Sequence, residues 1–79
     1  MEKEPSPKVI VTFPNTTTAL AMEAACKAGG VPGRIIPVPN RISAGCGFAW
    51  CAEGEERQRI AAFLQSEALV YSELHLIDL

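Results

Sequence analysis

A chain of 79 residues, 48% hydrophobic and 20% charged, allows one small folded domain and excludes the low-hydrophobicity, high-charge class of disordered chains. Its formal net charge of -2, with acidic and basic residues interspersed, leaves no basic footprint for a polyanion, so no nucleic acid partner is expected. No stretch has the length of a membrane span and the N-terminus lacks the apolar run of a signal peptide; with three cysteines in no paired spacing, this predicts reduced thiols, no membrane partner and a cytoplasmic location.

Residues 1–7 (MEKEPSP) hold two prolines and no apolar periodicity, which predicts a disordered tail ahead of a single domain over residues 8–79. Residues 8–13 (KVIVTF) are β-branched and aromatic, too short for a helix, and closed by Pro14: a buried first strand. Asn15 is placed to cap a helix in which Ala19, Met22, Cys26 and Gly29 share a stripe, and Gly29, Gly30 and Pro32 stop it. Residues 34–38 (RIIPV) predict a short strand that, with Pro37 lacking an N–H, either frays or lies at an edge at that end. Residues 39–45 (PNRISAG) form a loop, and residues 47–52 (GFAWCA) a third strand with Phe48 and Trp50 on one face and Ala49 and Cys51 on the other. Residues 53–66 predict a second helix, with Ile60, Phe63 and Leu64 inward and Glu55 set four residues before Arg59. Residues 70–77 close the chain as a strand with Val70, Leu74 and Leu76 on one face and Tyr71, Glu73 and His75 on the other.

The order β-α-β-β-α-β predicts an α/β (α+β) sandwich of ferredoxin-like type, two helices covering one face of a four-stranded antiparallel sheet. The second face stays open unless a partner or a second copy covers it, so a homodimer is one expectation. Phe48 and Trp50 are expected to pack under the helices.

The chemistry concentrates in Ser43-Ala44-Gly45-Cys46-Gly47, where glycines on both sides of a cysteine remove steric bulk and make the thiol reachable. Consecutive N–H groups in such a turn, with Arg41 or Arg34 nearby, would favour the thiolate, which is the nucleophile. The same residues also suit a plain turn into the third strand with Cys46 as a small apolar residue at its base. Cys26 reads as core, and Cys51 reads as an open-face thiol that either resolves an adduct on Cys46 or stands inert beside it. His75 lies on an outward face far along the chain from Cys46, so no catalytic Cys-His pair is expected. Neither a metal nor a cofactor is expected, because structural zinc favours paired cysteine knuckles from two places in the chain.

Three runs carry a family resemblance: Ile10-Val11-Thr12-Phe13-Pro14 with the threonines after it, Gly33-Arg34-Ile35-Ile36-Pro37-Val38-Pro39, and Ile42-Ser43-Ala44-Gly45-Cys46-Gly47 with Ala49 following. Together they resemble the selenium/sulfur (Se/S) carrier protein-like family of small domains. The resemblance implies a carrier thiol on Cys46, followed by the family's glycine at Gly47, and as partners a cysteine desulfurase-type donor and an acceptor of sulfur or selenium. Cys51 departs from the family pattern and inherits no role from it. Two other classes stand beside the carrier: a small-molecule-binding or regulatory module with a dimer cleft lined by Arg34, Asn40 and Arg41, and an assembly domain with an exposed apolar patch.

Overall fold

Strand β1, Pro7–Thr12, carries four consecutive buried residues, Val9, Ile10, Val11 and Thr12, the pattern of a strand covered on both faces. The computed structural model describes residues 7–39, 42 and 47–78, so of the expected tail only Pro7 is among them. Pro7 belongs to the strand, pairing with Asp78; a missing N–H is tolerated at a strand's first residue.

β1 lies in one antiparallel sheet with β2 (Arg34–Pro37), β3 (Phe48–Glu53) and β4 (Glu73–Asp78), in the order β2-β3-β1-β4. Helix α1 (Thr16–Gly29) joins β1 to β2, and α2 (Arg57–Ser66) joins β3 to β4. This is the ferredoxin-like sandwich, with β2 at an edge as Pro37 allows. Among the described residues no helix is long and apolar enough to cross a membrane.

The helix ends follow their capping residues. Asn15 Oδ1 accepts the Thr18 N–H at 2.9 Å, and Gly30, at φ 69°, turns its N–H to the Cys26 carbonyl. A 3₁₀ turn, Gly54–Glu56, precedes α2 and takes up the acidic residues expected in that helix's first turn. It also shifts the expected Glu55–Arg59 pair: Arg59 meets Glu56 at 3.8 Å and donates to the Gly30 carbonyl at 3.1 Å, tying α2 to the end of α1. After α2, Ala68 stands at φ 51° while the Leu69 N–H reaches the Leu64 carbonyl at 3.0 Å, the left-handed helix ending that glycine normally makes. Ala68→Gly is therefore expected to stabilise the fold by about 0.5–1 kcal/mol, read as a higher urea midpoint.

The last strand starts at Glu73, three residues later than the alternation suggests, because pairing with β1 begins where the Ser72 N–H donates to the Thr12 carbonyl at 2.8 Å. Val70 and Tyr71 precede it and are exposed. Between sheet and helices lies the main core, with Val9, Val11, Phe13, Trp50 and Ala52 from the sheet side meeting Ala19, Met22, Cys26, Ile60 and Leu64. Trp50 is buried there as expected; Phe48 is not, being 43% exposed at the strand's start.

The second sheet face is less open than its strand pattern implies. Ile42, in the connection between β2 and β3, buries itself against Ile10 and Ala49, with Ile36, Val38, Cys51 and Ile77 packed around them. Ile10 and Ala49 consequently have no exposed surface. The antiparallel order gathers the start of α1 and the β2–β3 connection at one end of the sheet, and Pro7, Arg34, Glu53 and Asp78 at the other.

Candidate functional site

The residues expected to carry the chemistry divide between the two ends of the sheet. Cys46, Arg41, Ser43 and Gly45 lie outside the described residues. Gly47 is described: its carbonyl accepts the Val38 N–H at 3.1 Å, extending the β2–β3 ladder by one position past Pro37 and Phe48. Ile42 is held twice, by its N–H on the Pro39 carbonyl at 2.9 Å and by its side chain against Ile10 and Ala49. Val38, Ile42 and Gly47 thus fix the frame of this connection at the sheet end where α1 begins, and a helix start carries partial positive charge.

Cys51 and Arg34 meet at the opposite end. They are directly paired across β3 and β2, so their side chains share the face away from the helices, as strand parity predicts for Cys51. Lys8 joins them from β1, where it pairs with Glu53 in register and by an ion pair. Burial pushes the half-buried Cys51 thiol up, Arg34 and Lys8 pull it back, and Glu53 adds to the rise. No sequence signal singled out Lys8, because its place beside Cys51 depends on a register between strands 45 residues apart. Ile42 did leave a trace: it is the only large aliphatic residue within the turn-forming stretch PNRISAG.

Cys26 is fully buried on the helical stripe, and burial pushes its thiol up to about 11, which makes it unreactive in the folded chain. His75 pairs with Ile10 in register, on the same face as Cys51 but on the edge strand β4, and meets Glu73 at 3.0 Å. Among the described residues it has no thiol partner; Cys51 is Ile10's partner on the other side of β1. Gly33, at φ 135°, lies so close to Trp50 that an added Cβ would fall 2.3 Å from Nε1. That indole N–H is buried and finds no acceptor among the described residues.

A family model described as "Putative Se/S carrier protein-like" matches residues 8–76, which take in both helices, β2, β3 and most of β1 and β4. No curated protein and no solved structure matches the chain. With the match covering nearly the whole folded chain, this protein belongs to the Se/S carrier protein-like family.

Proposed function

We propose that this protein is a stoichiometric carrier of sulfur or selenium whose cargo rides on the thiol of Cys46. The observation that carries this reading is the family match over residues 8–76, which includes the glycine-flanked cysteine Gly45-Cys46-Gly47. A carrier needs a reachable thiol and a docking surface, and needs no triad or bound metal. The Cys46 thiolate attacks the outer sulfur of a donor persulfide. The donor's S–S bond breaks, its inner sulfur leaves as thiolate with the electron pair, and the proton stays on the transferred sulfur in the Cys46 persulfide. A perselenide donor reacts in the same way at selenium. An acceptor thiolate then repeats the step, and Cys46 returns to its starting state. In this scheme a desulfurase-type enzyme supplies the persulfide.

The described frame around Cys46 supports this reading. Ile42 and the Val38–Gly47 hydrogen bond fix where the connection leaves and rejoins the sheet. In this reading Cys51 is not required for the transfer. The acceptor completes it.

Site-resolved alkylation across pH tests the thiol. Cys46 is expected to react fastest of the three cysteines, with an apparent pKa below the unperturbed value of about 8.5. Buried Cys26 is the internal unreactive reference. A Cys46 no faster than Cys26 would remove the carrier reading and leave the ligand-binding module in its place.

A further inference from the structure

Away from the β2–β3 connection, a groove of about 290 Å³ opens among Lys8, Pro32, Gly33, Arg34, Cys51 and Glu53. It exists because β2 starts at Arg34, paired with Cys51, while β3 continues two residues further to Glu53. Pro32 and Gly33, the latter at φ 135° and close against Trp50 and the Cys51 carbonyl, form one wall of it. The groove holds a thiol, two cations and the Glu53 carboxylate, and the cations are not equivalent. Lys8 is tied to Glu53, whereas the exposed Arg34 guanidinium has no ion pair or hydrogen bond with any described residue. A guanidinium free of described partners is suited to a carboxylate, which it can bind with two parallel hydrogen bonds.

We propose that this groove is a second thiol-exchange site, in which Cys51 takes a low-molecular-weight disulfide bearing a carboxylate that Arg34 holds. Its volume lies just under the roughly 300–1,000 Å³ of ordinary small-molecule pockets, which suits an arm the size of an amino acid. In the exchange the Cys51 thiol loses its proton to solvent and the thiolate attacks one sulfur of the incoming disulfide. The S–S bond breaks, the distal sulfur leaves as thiolate with the electron pair, and Cys51 is left in a mixed disulfide. The incoming disulfide is the oxidant. Burial pushes the Cys51 thiol up while Arg34 and Lys8 pull it back, so the groove's contribution is charge selection. The site acts without Cys46 and stands or falls independently of the carrier reading.

The test uses the full chain carrying Cys46→Ser and compares a neutral disulfide, 4,4′-dithiodipyridine, with the carboxylate-bearing 5,5′-dithiobis(2-nitrobenzoate). Modification of Cys51 is followed by peptide mass. The ratio of anionic to neutral rate at Cys51 is expected to be about fivefold higher in the folded chain than in the same chain in urea. It should collapse to the urea value in Arg34→Gln, persist in part in Arg34→Lys, and fade on the native chain as salt rises to about 1 M. A folded-chain ratio that matches the urea value, or that neither Arg34→Gln nor salt changes, would overturn the proposal. So would modification of Cys51 only after unfolding.

Discussion

Gly33→Ala is expected to lower the stability of the fold by about 3 kcal/mol or more, through two costs that add. The first is conformational: φ 135° is a region that residues with a Cβ rarely occupy. The second is steric, because the new methyl would sit 2.3 Å from Trp50 Nε1, 2.6 Å from its Cε2 and 2.8 Å from the Cys51 carbonyl oxygen. Trp50 is in the main core and the carbonyl belongs to the sheet, so neither can retreat cheaply. A domain of this length holds roughly 4–12 kcal/mol in all, so the substitution removes a large share of it. Urea unfolding followed by the fluorescence of Trp50, the sole tryptophan, measures the loss. Gly30→Ala provides the contrast: at φ 69° with nothing within 4 Å of the new Cβ, it should cost only about 1 kcal/mol. Equal midpoints for the two variants would show that the contact with Trp50 is not tight.

Ile42→Ala is expected to cost about 2 kcal/mol, near the lower end of large-to-small core substitutions. Ile42 is 9% exposed and covers Ile10 and Ala49 on the face the helices leave bare. Truncation would open that cover, leaving Ile36, Val38, Cys51 and Ile77 around Ile10 and Ala49 among the described residues. Ile42→Val, which keeps most of the contact, should lose about 1 kcal/mol. Because Ile42 also anchors the connection that contains Cys46, Ile42→Ala should slow sulfur loading at Cys46 by a larger factor than its small effect on the folded fraction explains. A loading rate equal to wild type would mean that this anchor does not serve the thiol.

The sandwich was legible in the sequence because its signals are local. KVIVTF cannot be a helix before Pro14, Asn15 and Gly30 mark both ends of α1, and Pro37 calls for an edge or a frayed end, of which the sheet shows the edge. What escaped depends on tertiary register. Arg59 chose Glu56 over Glu55 because a 3₁₀ turn changes the spacing ahead of α2. β4 began at Glu73 because pairing with Thr12 decides where a strand starts, whatever alternation Val70 and Tyr71 extend. Ile42's role over Ile10 followed from no periodicity at all, since loop residues carry none. At the candidate site the thiols were visible as residue types, and strand parity put Cys51 on its proper face. The grouping of Cys51 with Lys8 came only with the β1–β3 register.

The most direct test of the carrier account is sulfur loading. The purified chain is incubated with a cysteine desulfurase and cysteine, and each cysteine-containing peptide is weighed with and without reductant. The account predicts one added sulfur on the Cys46 peptide, removed by reductant, passed to an added acceptor thiol, and missing in a folded Cys46→Ser chain. Loading that persists in Cys46→Ser, or a native chain that takes up no sulfur at Cys46, would contradict it.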